Sequence, residues 1–169
     1  ILYCIMMKTA LVVVDPQPAF MSPSLAKAIA RHAKTTHYNA VAVTRFVNSR
    51  NSMVFRQTGY GGCFSHSKES KIYECIRELN ARVFTKSGNA IFTARGLSAF
   101  LSKNQIKKIV LCGTDTDCCV LASAFAALDR GFFVEILPKY CASSSGRHKE
   151  GMKILKQLNA VAAAREGKY

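Results

Sequence analysis

The sequence predicts an α/β protein: a three-layer α/β/α sandwich around an open, mainly parallel sheet of the Rossmann-like kind. Three observations predict it. Short apolar runs rich in β-branched residues recur along the chain and do not alternate with polar positions. Segments of helical spacing separate them. No repeat, linker or low-complexity stretch divides the chain. Strands buried on both faces read as continuous apolar runs, and strand–helix alternation implies parallel strands with helices on both sides.

The elements follow in order. "ALVVVD" (10–15) is the first strand, and "SLAKAIARHAK" after it has Leu25, Ala28, Ile29 and Ala33 on one helical face. "AVAVTRF" (40–46) is the second strand. The stretch 47–67 is irregular, and a loop that long in a compact domain is usually functional. Its Gly59, Gly61 and Gly62 match no phosphate-binding fingerprint. "SKESKIYECIREL" (67–79) reads as a helix, with Ile72, Ile76 and Leu79 at i, i+4, i+7. "RVFTK" (82–86), "KKIVLCGT" (107–114) and "FFVEILP" (132–138) complete the strands. "RGLSAFLSKN" precedes the fourth strand as a helix. "CVLASAFAALDRG" follows it, with Leu121, Phe125 and Leu128 on one face and Gly131 as a stop. "HKEGMKILKQLNA" closes the chain, with Met152, Leu155 and Leu158 inward and Lys149, Lys153 and Lys156 outward.

The length of 169 residues suits one domain with a proper core. "MKTALVVVD" reads as a natural start at Met7, so the expected domain is 7–169, with residues 1–6 upstream of it. No apolar stretch approaches the roughly 20 residues that span a bilayer, and "ILYCIMM" is too short for a signal peptide. Seven cysteines without regular spacing argue against a disulfide framework and for a reducing compartment, the cytoplasm. No CxxC, HExxH or Cys/His cluster is present, so neither metal nor cofactor is expected. The formal charge of +14 is high, but the basic residues are spread out and no nucleic-acid module accompanies them. The expected partner is a small-molecule substrate, with no nucleic acid and no membrane.

In open α/β sheets, sites lie beyond the carboxyl ends of the strands. Asp15, Lys86 and the Cys118–Cys119 pair all fall there. A thiolate is the reactive form of cysteine, and a helix N-terminus and a nearby ammonium both lower a thiol pKa. A carboxylate beside the thiol can take its proton and return it to a leaving group. Each residue also has an ordinary role: an Asp caps helices, a Lys reaches solvent, and a Cys fills a core.

Motifs in the right order sharpen the reading. "ALVVVDPQPAF", "KSGNAIF", "LCGTDTDCCVLASAFAALDRGFFVEIL" and "KYCASSSGRHKEGMKIL" resemble segments of the isochorismatase-like cysteine hydrolases, over nearly the whole chain from about Lys8 to Leu158. The resemblance implies Cys119 as nucleophile, since it precedes Val120 and follows Thr116 by three. It implies Asp15 as the proton-transferring carboxylate and Lys86 as the third member of the triad. It also implies an oxyanion hole from the N–H groups of Asp115 and Cys119, with a cis peptide at Thr114–Asp115. Asp115 stands where the family usually has a small or apolar residue, so its side chain is expected to point away. The second strand ends "TRFVN", without the Asp-x-His of the metal-binding nicotinamidase branch.

The expected reaction is cleavage of a small-molecule C–N amide-type bond through a thioester. The alternative is a non-catalytic member that keeps the fold for binding or scaffolding. Phe20, Phe46, Tyr60, Phe64 and Phe92 are candidates for the substrate wall, and Arg45 and Arg56 for a substrate carboxylate. The fold commonly assembles through elements beside the site, so a homo-oligomer is expected.

Overall fold

The computed structural model describes the backbone of residues 7–166 and the side chains of residues 7–158. The segment 1–6 expected upstream of the domain lies outside the described residues. One parallel sheet forms the centre, made of β1 (Thr9–Val14), β2 (Ala40–Phe46), β3 (Arg82–Lys86), β4 (Lys108–Gly113) and β5 (Phe133–Cys141). The spatial order is β3-β2-β1-β4-β5. The chain starts in the middle, winds to one edge and returns to the other side of β1. The strand order therefore reverses between β1 and β4, and a crevice opens beyond their carboxyl ends.

The strand runs predicted from sequence agree with the observed strands to within a few residues at each end. β1 is flanked on both sides, and Ala10 through Val14 are fully buried. β4 carries Ile109, Leu111 and Cys112 into the same core. At its end, Gly113 has φ 116°, and a Cβ there would lie 2.2 Å from the Val14 carbonyl oxygen. Only glycine lets the two strand ends approach this closely, directly before Asp15 on one strand and the 114–119 turn on the other.

Helices α1 (Pro23–Thr35), α2 (Met53–Thr58), α3 (Glu74–Arg77), α4 (Leu97–Lys103), α5 (Cys119–Leu128) and α6 (His148–Glu166) occupy the connections. Ser22 caps α1 by accepting from the Leu25 N–H, and Pro23 follows at the first helical position. On α6, Met152 and Leu155 are buried while Lys149, Lys153 and Lys156 are exposed, as the spacing predicts.

Two helical expectations need correction. The segment 67–79 is not one helix: a 3₁₀ turn at Lys68–Ser70 precedes the short α3. The Ser70 carbonyl, which a continuous helix would use internally, accepts instead from Gln17 Nε2 at 2.9 Å and Arg45 Nε at 2.7 Å. Tertiary hydrogen bonds outcompete the local ladder. On α5, Phe125 and Leu128 are exposed, and the buried face consists of Val120, Ser123, Ala124 and Ala127. The helix lies close against the sheet, and small residues permit that approach.

Truncating Leu111, fully buried on β4, to Ala is expected to cost about 2–5 kcal/mol, read from the urea unfolding midpoint. Gly113→Ala should unfold the chain at lower urea still, because the new methyl meets backbone that cannot move aside.

Candidate active site

Three residues from separate strands and turns meet at the crevice. Lys86 ends β3, and its side chain crosses the end of β2 to reach Asp15, one residue past β1. The Lys86 Nζ lies 2.8 Å from Asp15 Oδ2, and both side chains are wholly buried. Its hydrogen bonds go to the carbonyls of Gly88 at 2.8 Å and Asn89 at 3.0 Å and to Cys119 Sγ at 3.5 Å. These use the three N–H groups of an ammonium. The Asp15 contact is a close, fully buried charge pair made beside these bonds. Asp15 Oδ1 accepts from Thr44 Oγ1 at 2.7 Å, while buried Oδ2 accepts no hydrogen bond among the described residues. Burial opposes the Lys86 charge, but the Asp15 carboxylate and the Cys119 sulfur outweigh it and hold its pKa above the ordinary 10.5.

Cys119 opens α5. Its sulfur and Asp15 Oδ2 both touch Lys86 Nζ, so they lie no further apart than those two contacts laid end to end. The Thr114–Asp115 peptide is cis. The N–H groups of Asp115 and Cys119 donate to nothing among the described residues, whereas those of Thr114, Thr116, Cys118 and Val120 are all bonded. Asp115 turns its carboxylate outward, where it accepts from the Ser144 N–H and hydroxyl at 2.7 Å each. Burial raises the Asp115 pKa, and the Ser144 bonds partly offset this.

Cys118 and Cys119 are adjacent thiols, which changes the electrostatics expected from sequence. Ionisation of one opposes ionisation of the other. The neighbouring Cys119 thiol brings Cys118 down to about 7. Cys119 itself is pushed well up by its Cys118 neighbour, then by burial and by the Asp15 carboxylate, with Lys86 opposing. Lys86 lowers the Cys119 pKa as expected, but the Cys118 neighbour, burial and the Asp15 carboxylate together outweigh it.

The aromatic candidates divide. Phe20, Phe46 and Tyr60 form one cluster, with ring centroids 6.1 Å apart for Phe20–Phe46, 6.3 Å for Phe20–Tyr60 and 6.4 Å for Phe46–Tyr60. Lys86 Nζ sits 5.3 Å from the Phe46 centroid, so this cluster adjoins the site. Phe64 and Phe92 fall outside that cluster. Phe64 pairs with Phe55 at 6.2 Å, held by the bridge between Asn48 and Phe64. Phe92 stacks on Phe132 at 6.0 Å beneath the Arg130 guanidinium. Arg45 is spent on the Ser65 and Ser70 carbonyls and the Ser70 hydroxyl, so it is not free for a substrate carboxylate.

Several organising residues escaped the sequence reading. Buried Gln17 exchanges hydrogen bonds with the Phe46 backbone, donating to its carbonyl at 2.9 Å and accepting from its N–H at 2.7 Å. It extends the β1–β2 ladder with a side chain. Asn48 donates to the carbonyls of Tyr60 and Gly62 and accepts from Ser49 N and Ser52 Oγ. Gln17 had a signal, its fixed offset from Asp15. Thr44 had none, because its partner Asp15 is 29 residues away, and for Asn48 the contacts to the Tyr60 and Gly62 carbonyls leave no local pattern. No cluster of three or more His, Cys, Asp or Glu able to hold a metal ion occurs among the described residues.

A parallel α/β sheet with a thiol, an ammonium and a carboxylate at its switch point defines a class, and sequence comparison supplies the family. The Isochorismatase domain profile matches residues 9–166, and the chain belongs to this family of isochorismatase-like hydrolases. Isochorismatase domain-containing protein 2 of Xenopus laevis is 31% identical over 73 residues, 41% of this chain and 36% of that protein. The chain thus matches about a third of the length of that curated relative. Among solved structures, PnC1 from L. infantum in complex with nicotinate superposes with a TM-score of 0.75 at 19% identity, covering 90% of each chain. N-carbamoylsarcosine amidase from Thermoplasma acidophilum gives 0.70 at 23%, covering 85% of this chain and 90% of that one. An isochorismatase-like hydrolase from Alkaliphilus metalliredigens gives 0.76 at 18%, covering 93% and 98%. At these identities the likeness establishes the fold.

Lys86→Met leaves the Asp15 carboxylate buried without its counter-charge and should cost about 3–5 kcal/mol, while Lys86→Met with Asp15→Asn should recover much of it. The Lys86 pKa is raised on folding, so its contribution is complete below the ordinary lysine value and fades only as pH climbs through the higher folded value. The gap to the parent in urea unfolding should stay constant across neutral pH and close only in strong alkali. Alkylation of the Cys118–Cys119 pair by iodoacetamide should accelerate with pH through an inflection near 7. Cys118→Ala should abolish the inflection near 7, because Cys118 is the thiol that titrates there; an unchanged profile would assign it to Cys119 instead.

Proposed function

We propose that this chain is a cysteine hydrolase that cleaves an amide-type C–N bond of a small molecule through a thioester on Cys119. The observation that carries the reading is the buried Lys86 ammonium, which touches both Asp15 Oδ2 and the Cys119 sulfur. A carboxylate and an ammonium buried together beside one thiol are a costly arrangement in a merely structural site, and they suit proton transfer to and from the sulfur.

The Cys119 thiol starts neutral because its pKa is held up. As the sulfur attacks the substrate carbonyl, its proton passes to Asp15 Oδ2. Lys86 stabilises the charge on the sulfur while it forms. The carbonyl oxygen becomes an oxyanion and accepts from the free N–H groups of Asp115 and Cys119. Collapse of the tetrahedral adduct breaks the C–N bond, and the amine leaves with the proton held by Asp15. Asp15 then deprotonates a water that attacks the thioester; the acid departs and the sulfur regains its proton.

The Phe20, Phe46 and Tyr60 cluster is the proposed wall for the substrate body. One structural neighbour is named an N-carbamoylsarcosine amidase, which favours an amide over an ether. The charged pair of Asp15 and Lys86 kept buried beside Cys119 favours catalysis over a scaffold role, since a retired site has no need of it.

A hydrolysis screen over nicotinamide, carbamoyl compounds, ureido acids and isochorismate should find turnover of an amide-type member. Cys119→Ala should remove it by roughly 10³-fold or more while leaving the fold intact. Full activity in that variant, or cleavage of isochorismate alone, would overturn the proposal.

A further inference from the structure

A second feature stands apart from the Asp15–Lys86–Cys119 site. An open groove of about 620 Å³ runs between the end of β5 and α6, lined by Pro138, Lys139, His148, Lys149, Met152, Lys153 and Lys156. Its volume lies in the range of small-molecule sites. Four lysines and a histidine from two elements border it, and among the described residues no carboxylate does. Among the described residues Lys149, Lys153 and Lys156 form no ion pair, whereas Arg147 beside them is paired with Asp117 at 3.1 Å.

We propose that this groove binds a small molecule carrying two or three phosphate groups. Lys149 and Lys153 stand at i, i+4, where like charges destabilise a helix. Lys156 extends the same stripe, so the positive charge spans about 10 Å of α6. Lys139 faces it from β5, so the charge is concentrated in a groove rather than spread over a convex surface. Such a site is relieved by an anion of matching density. A phosphate group carries a charge of about −1.5 to −2 at neutral pH, so two or three of them balance these cations, while a single carboxylate does not. Lysine ammoniums bind phosphate as compact point charges. Pro138 and Met152 supply an apolar floor for an organic moiety. Among the described residues no Phe, Tyr or Trp lines the groove, and the one imidazole, His148, is tied to Thr116, so a run of stacking platforms such as single-stranded nucleic acid uses is missing.

His148 defines the inner wall. Its Nδ1 pairs with Thr116 Oγ1 at 3.1 Å, which fixes the ring against the turn that leads to Cys119. Gly151 allows the approach: a Cβ there would lie 2.7 Å from the Asp117 nitrogen and the Thr116 carbonyl. The groove is therefore built against the body of the protein and is not a loose surface stripe.

The test is calorimetric titration of the full chain with sodium tripolyphosphate at about 150 mM salt, where exposed charges are screened beyond about 8 Å. Saturable one-to-one binding is expected. The variant Lys149→Gln, Lys153→Gln, Lys156→Gln should weaken it at least tenfold, and the corresponding Lys→Arg variant should retain it. A control with three exposed lysines removed elsewhere, Lys27→Gln, Lys71→Gln and Lys103→Gln, should bind as the parent does. Absence of saturable binding, or equal weakening in the control, would overturn the proposal. So would a short single-stranded RNA that binds this groove tenfold more tightly than tripolyphosphate, since the groove would then serve a nucleic acid. None of these outcomes depends on Cys119 chemistry.

Discussion

The site is organised by one buried charge pair. Lys86 and Asp15 come from strands that are not neighbours in the sheet, with β2 between them, and neither side chain sees solvent. A lone charge at that depth would cost several kcal/mol. Each therefore requires the other, and the ammonium requires the Gly88 and Asn89 carbonyls as well. This mutual dependence joins the ends of three strands and brings the opening residue of α5 within reach of both charges. It also sets the chemistry. The carboxylate offsets the ammonium, so the Cys119 thiol stays neutral until a substrate demands its proton.

Most polar groups around this pair are occupied. Gln17 continues the sheet ladder, Arg45 ties down the 65–70 segment, and Asn48 gathers the backbone around Tyr60. On the other side, Asp115 and Asp117 hold the 143–147 loop through serines and Arg147. Against this background the N–H groups of Asp115 and Cys119 have no acceptor among the described residues. The first N–H groups of a helix are ordinarily free, and here they adjoin the Lys86–Asp15 pair.

The basic groove on α6 obeys the same reasoning with opposite sign. There the unsatisfied quantity is charge, not hydrogen bonds. Both features lie on either side of the 114–119 turn, which supplies the nucleophile to one and, through Thr116, braces the histidine of the other.

The strands were legible because their runs are short, apolar and β-branched, and burial on both faces leaves that mark on any sequence. Asp15, Lys86 and Cys119 were legible as strand-end residues and through motif order. The helix expected at 67–79 failed because the Ser70 carbonyl has partners more than twenty residues away, which no local pattern records. The apolar stripe of α5 misled because close packing on the sheet selects small side chains rather than large ones. Phe64 and Phe92 resembled Phe20 and Phe46 in composition and differ only in which neighbours the fold brings to them. Local sequence determined strand identity, the parallel architecture and the residue types able to do chemistry, because these follow from periodicity and intrinsic side-chain properties. Only the tertiary structure decided which polar groups are spent and which aromatic rings adjoin the site, because those depend on distances between residues far apart in the chain.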